Sequence, residues 1–78
     1  MSRPYTNRAY DSKLFGEKLR ELREKRGLSQ QELAELSGVH RNYVSDVERG
    51  QRNACLVNIL RLATALRVAP RELFRPWD

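Results

Sequence analysis

Four consecutive hydrogen-bonding side chains stand near the middle of the chain, in the stretch "VHRNYVSDVERGQRN". They are His40, Arg41, Asn42 and Tyr43. Such side chains donate to and accept from polar ligands, and the planar guanidinium of arginine suits phosphates and guanine edges. Val44 and Val47 give a helix in this stretch an apolar side, and Gly50 ends that helix. The pattern predicts a short helix that carries polar groups at its N-terminal end.

Helical geometry decides which side chains of this helix face outward. At about 100° per residue, packing Val44 and Val47 against a core turns the opposite face toward solvent. The outward residues are then Asn42, Asp46 and Arg49, together with His40 and Arg41 of the projecting first turn. The helix is therefore expected to be held from behind and to present its polar end to a ligand.

The preceding segment predicts another short helix, which positions the first. "SQQE" fits a capping box, in which the hydroxyl of Ser29 accepts from the amide of Glu32 and the Glu32 side chain bonds back. Its apolar side is predicted from Leu33, Ala34 and Leu36. Only a few residues around Gly38 join the two helices, so they must cross steeply and pack closely.

The remaining sequence predicts three further helices and an N-terminal arm. Residues 1–10 are polar and lack periodicity, so we expect a flexible arm there. Helical spacing predicts a first helix from Ser12 to Gly27, a fourth from Leu56 to Leu66 and a fifth that opens at Pro70. The fold class is predicted to be all-α, with five short helices around one core in a domain of residues 11–78.

Composition narrows the function classes. Lys and Arg number 15 against 10 Asp and Glu, which gives a net charge of +5 and favours nucleic acid, anionic membrane or acidic protein partners. The single cysteine, Cys55, excludes an internal disulfide, and no apolar run has the length of a signal peptide or membrane span. A cytoplasmic, non-enzymatic protein without cofactor, metal or membrane partner is expected.

The ordered motifs resemble the helix-turn-helix domain of the lambda and 434 repressor and Cro superfamily, often called the Xre family. The similarity runs from about Phe15 to Phe74 and rests on "FGEKLRELREKRGLSQQELAELSGV", "YVSDVERGQRN", "ILRLATALRV" and "ELF". It implies that the third helix enters the major groove of duplex DNA while the second lies across the backbone.

The resemblance also implies roles for individual residues. Arg41 and Asn42 become the leading base readers, for guanine and adenine respectively. Further base-contact candidates are His40, Ser45, Asp46 and Tyr43. Phosphate contacts are implied for Gln30, Arg49, Arg52 and Asn53. Two alternatives stay open at this point: Asp46 either accepts from cytosine N4 or braces Arg49, and Tyr43 either touches DNA or packs at the helix edge.

Two structural features complete the expected arrangement. Family members join the positions of Arg23 and Glu48 by an ion pair between the first and third helices. A dimer interface is predicted around Trp77, with Phe74, Leu73 and part of helices four and five; alternatively, Leu73 and Phe74 close the core of the monomer. A homodimer would place two third helices about 34 Å apart on a pseudo-palindromic operator.

The expected function is that of a sequence-specific transcriptional regulator that binds double-stranded DNA. The string "RNYVSDVERGQRN" is also similar to controller proteins of restriction–modification systems, which regulate their own operon. No small-molecule ligand is expected, and a contact with RNA polymerase stays open. The alternative is an antitoxin or bridging module with the same fold, in which the N-terminal or C-terminal segment holds a protein partner.

Overall fold

The computed structural model describes the backbone of residues 8–77 and the side chains of residues 12–74. This part of the chain contains helices and no strand, which confirms the predicted all-α class. The α-helices are α1 (Arg8–Lys25), α2 (Gln30–Ser37), α3 (Arg41–Glu48) and α4 (Leu56–Leu66), and a 3-10 helix spans Pro70–Trp77. None of the described helices is both long and apolar enough to cross a membrane.

The predicted fifth α-helix is wrong in type, because Pro70–Trp77 forms a 3-10 helix. The segment opens with Pro70 and includes Pro76 near its end. Proline has no N–H group to donate and disfavours α-helical backbone at the residue before it. The described fold is therefore four α-helices followed by a 3-10 helix.

Helix α1 begins at Arg8 rather than at Ser12. The predicted boundary between arm and domain, at residue 10, therefore lies within α1. Residues 1–7 of the predicted arm lie outside the described residues. The first turns of α1 are polar, and without an apolar repeat the pattern carries no signal for the helix start.

The turn between α2 and α3 has the local chemistry that the sequence predicts. Both bonds of the capping box are present at the start of α2, between Ser29 and Glu32. Gly38 adopts a left-handed conformation with φ of 78°, and its N–H donates to the carbonyl of Ala34 at 2.8 Å. This conformation suits glycine because it has no Cβ, and it ends α2 abruptly so that α3 can cross it.

One core joins all five elements. α1 packs against α3 and the 3-10 helix, and α4 packs against α2 and the 3-10 helix. The largest fully buried side chains are Leu19, Leu33, Val44, Val47, Leu62, Leu66 and Leu73. Burial of Val44 and Val47 fixes the rotation of α3 about its own axis, which decides what the helix exposes.

The predicted place of Leu73 in a dimer interface is wrong. Its side chain is fully buried in the monomer, where it closes the core between α1 and α4. Phe74 is 41% exposed, and its ring lies 5.7 Å from that of Phe15. The side chain of Trp77 lies outside the described residues, so its predicted contact stays a prediction.

Candidate nucleic-acid interface

The start of α3 presents three polar side chains to solvent. His40 precedes the helix and makes no side-chain capping bond, and Arg41 and Asn42 form the first helical positions. All three residues are exposed. Among the described residues, Arg41 and Asn42 have no hydrogen-bond or ion-pair partner. Their donors and acceptors are therefore available to an external ligand.

Five of the predicted base-contacting residues line one open groove of about 730 Å³. They are His40, Arg41, Asn42, Tyr43 and Asp46. Arg52, predicted to contact phosphate, lines the same groove. Ser45, the sixth predicted base contact, is half-buried and does not line it. The groove thus collects residues of α3 and of the loop after it.

Three polar residues of the groove were not among the predicted site residues. Gln31 lies on α2, and Asn58 and Arg61 lie three residues apart on α4. Arg61 is exposed and adds a positive charge close to the N-terminal end of α3. The polar face of α4 was a signal, but only the packing of α4 against α2 brings Arg61 to this groove.

Asp46 braces the arginines that follow α3. Its Oδ1 accepts from Nη2 of Arg49 at 2.8 Å, and its Oδ2 lies 4.0 Å from Nε of Arg52. The Arg52 guanidinium also lies over the ring of Tyr43, 5.3 Å from its centroid, within cation–π range. The bracing alternative for Asp46 is therefore present in the structure, and it extends to a second arginine.

Tyr43 combines packing with a position at the groove. Its half-buried side chain packs against the core, and its hydroxyl is buried without a hydrogen-bond partner among the described residues. A buried hydroxyl without a partner is costly, typically by about 1–3 kcal/mol. Packing and the stacking of Arg52 together hold this ring in place.

Behind the groove, Arg23 and Glu48 form the ion pair that the resemblance implies. Arg23 Nε and Nη2 donate to the Glu48 carboxylate at 2.6 and 3.0 Å, and Nη1 donates to the carbonyl of Leu28 at 2.8 Å. Hydrogen bonding to Glu48 raises the pKa of Arg23 above its ordinary value, so the guanidinium stays charged. The pair ties the C-terminal end of α3 to α1.

Two predicted phosphate contacts are engaged within the protein. The side-chain Nε2 of Gln30 donates to Oε1 of Glu48 at 3.0 Å, which places the start of α2 against the end of α3. The hydroxyl of Ser12 donates to Oδ1 of Asn53, which holds the loop after α3 against α1. Both bonds orient the α2 N-terminus and the α3–α4 loop relative to the groove.

A family model described as helix-turn-helix (HTH_3) matches residues 19–73. The chain belongs to the helix-turn-helix family. This helix-turn-helix chain is 48% identical over 61 residues to the control protein C.BamHI of Bacillus amyloliquefaciens. The match covers 77% of this chain and 75% of that protein. It is 42% identical over 60 residues to the control protein C.SmaI of Serratia marcescens, covering 77% and 71% of the two chains.

A solved structure agrees with this assignment. The crystal structure of the restriction–modification controller protein C.AhdI from Aeromonas hydrophila is similar with a TM-score of 0.82 and 65% sequence identity. The match covers 83% of this helix-turn-helix chain and 98% of that one. Among the described residues, no cluster of His, Cys, Asp and Glu is arranged to hold a metal ion.

Proposed function

We propose that this protein is a transcriptional regulator that binds double-stranded DNA at a specific sequence, with α3 in the major groove. The observation that carries the proposal is the exposed first turn of α3. Arg41 and Asn42 stand there without internal partners while Val44 and Val47, on the rear of the helix, are buried. An arginine and an asparagine in adjacent positions can bind guanine and adenine edges bidentately.

Phosphate contacts would hold the recognition helix in register on the duplex. Arg49 and Arg52 follow α3, and their side chains are 65% and 56% exposed. Arg61 adds a third cation on the α4 side of the groove. Gln30 and Asn53 remain candidates for phosphate contacts, because each keeps polar side-chain atoms that its hydrogen bond within the protein does not use.

The similarity to controller proteins supports a narrower role in the regulation of a restriction–modification operon. Such a regulator would act in the cytoplasm on duplex DNA and would need no small-molecule ligand. A contact with RNA polymerase belongs to the same proposal, because a controller that activates transcription must reach the polymerase. The described residues offer no specific observation in favour of the antitoxin or bridging alternative.

Arg41→Ala is expected to relax the preference at one base position of the operator, because only its fork reaches that base edge. The loss should be about 1–3 kcal/mol on the operator and close to none on scrambled duplex. Selection of bound sequences from random duplexes measures the base preference, and titration at several salt concentrations measures the loss of binding free energy. The matched variant Arg61→Ala removes another exposed cation of the groove, so it should weaken all sequences similarly and make the salt slope shallower by about one unit. A changed sequence preference in Arg61→Ala would contradict this division of labour.

Dimerisation would give the protein a second recognition helix on the same operator. Leu56, Val57 and Leu60 are exposed on one face of α4 by their spacing, and Phe74 is exposed on the following 3-10 helix. Together with Trp77, this apolar surface is our candidate interface with a second copy. Two copies related by a twofold axis would bind the two halves of a pseudo-palindrome.

Leu60→Glu is expected to shift the protein from dimer to monomer at micromolar concentration, because it puts a charge into the apolar interface. Sedimentation equilibrium measures the change. Leu36→Glu is the matched control, because Leu36 is also an exposed leucine but lies on α2: its side chain is 61% exposed and that of Leu60 is 45% exposed. The Leu36→Glu variant should remain a dimer. A wild-type protein that is monomeric at this concentration would refute the interface.

A further inference from the structure

The carboxylate of Asp46 is an unusual feature of a surface that is proposed to face DNA. It lies among cations, with Arg49 bonded to Oδ1 at 2.8 Å and Arg52 at 4.0 Å from Oδ2. Its side chain is 32% exposed and lines the same groove as Arg41 and Asn42. One acidic group therefore contacts both arginines that follow the recognition helix.

This arrangement lowers the attraction of the surface for the phosphates of DNA. In the free protein, Asp46 offsets part of the positive charge of Arg49 and Arg52. A phosphate that competes for these arginines must replace the carboxylate as their partner, and it also meets the repulsion of a like charge nearby. Both effects weaken the sequence-independent attraction between the protein and the DNA backbone.

The carboxylate itself needs a new partner once the arginines turn to phosphates. It would then face the major groove, where leaving an ionised group desolvated and unpaired is costly. The donors in that groove are the N4 amino group of cytosine and the N6 amino group of adenine. Adenine N6 lies beside the acceptor N7, which repels a carboxylate, so cytosine N4 is the better partner. Thymine O4, guanine O6 and N7 are acceptors and would repel the carboxylate.

We infer that Asp46 is a specificity-determining residue, which makes the phosphate contacts of Arg49 and Arg52 conditional on a cytosine N4 donor at the base it faces. This inference rests on the proposed DNA-binding function. Asp46 acts mainly by weakening the binding to wrong sequences, since specificity is the difference between two affinities. The two alternatives for Asp46, bracing arginines and contacting a base, are then successive states of one side chain.

Asp46→Asn tests the inference, because asparagine keeps the shape of the side chain but removes its charge. The probes are the operator duplex selected from random sequences and a scrambled duplex of equal length, titrated against the full chain by fluorescence anisotropy. Binding to the scrambled duplex should tighten roughly tenfold, the size of one base-pair discrimination. Its salt slope should steepen by about one to two units as the arginines become free for phosphates. Operator affinity should change much less, so the specificity ratio falls.

Glu17→Gln is the matched control, since Glu17 is exposed on α1, away from the groove, and its loss adds the same unit of net charge. Glu17→Gln should strengthen binding to both duplexes slightly and equally. If Asp46→Asn behaves like Glu17→Gln, or leaves the specificity ratio unchanged, the inference is overturned while the proposed function stands. If the wild-type protein shows no preference between the two duplexes, the proposed function fails, and the inference that rests on it fails as well.

Discussion

Replacing Arg23 with alanine is expected to lower the free energy of unfolding by about 3–5 kcal/mol, because Glu48 then stays buried without its cation. The two side chains are only 11% and 3% exposed, and hydrogen bonds of 2.6 and 3.0 Å join them. Urea or thermal unfolding followed by circular dichroism measures the loss. In a domain of this size, each 1 kcal/mol lowers Tm by about 4–8 °C.

The matched control is Arg20→Ala, which breaks an exposed pair with Glu24 on the surface of α1. Such pairs contribute about 0–1 kcal/mol, so this variant should melt close to the wild-type protein. Removing both charges of the buried pair, in Arg23→Met with Glu48→Leu, should recover most of the loss, because no charge is then left buried alone. Equal Tm values for Arg23→Ala and Arg20→Ala would show that the pair is not buried in solution.

Gly16→Ala is the second large effect that we expect, with a net loss of about 2 kcal/mol or more in the free energy of unfolding. A Cβ at position 16 would lie 2.6 Å from the carbonyl oxygen of Glu48 and closer still to that of Val47. Both atoms belong to backbone, which cannot rotate away. Alanine favours a helix interior over glycine by about 1 kcal/mol, but the clash outweighs that gain.

The clash would also displace α3, since the two carbonyl oxygens that the added Cβ meets are the last two of that helix. Gly16→Ala should therefore weaken operator binding at a temperature where the variant is still folded. Lys13→Ala, at an exposed position one turn earlier on α1, should change the stability by less than about 0.5 kcal/mol. A Gly16→Ala variant as stable as Lys13→Ala would mean that α1 and α3 pack less closely than the structure shows.

Local signals predicted much of the fold. The capping box at Ser29 and the tight turn around Gly38 appear where the sequence predicts them, because each depends on residues a few positions apart. The inward side of α3 is also confirmed, since Val44 and Val47 are fully buried. An apolar pair three residues apart suffices to orient so short a helix.

Periodicity failed where burial depends on a neighbouring element. Leu36 and Leu60 fit the apolar faces of their helices, yet both are exposed. Leu73 is buried in the core, which is the alternative that the sequence left open beside a place in the dimer interface. An apolar stripe shows which face avoids water but not whether the same chain covers it. The 3-10 form of the last helix was likewise missed, because an apolar repeat over so few residues does not distinguish a 3-10 helix from an α-helix.

The sequence by itself determined that the chain forms short helices, where the α2–α3 turn lies, and that an arginine and an asparagine lead a polar helix end. Only the tertiary structure decided that α1 needs a glycine beneath α3, that Arg61 joins the groove, and that Asp46 holds two arginines. The capping box, the turn and the inward face of α3 follow from neighbours in sequence. Contacts between residues from different helices depend on crossing angles and distances, which arise only when the whole core packs together.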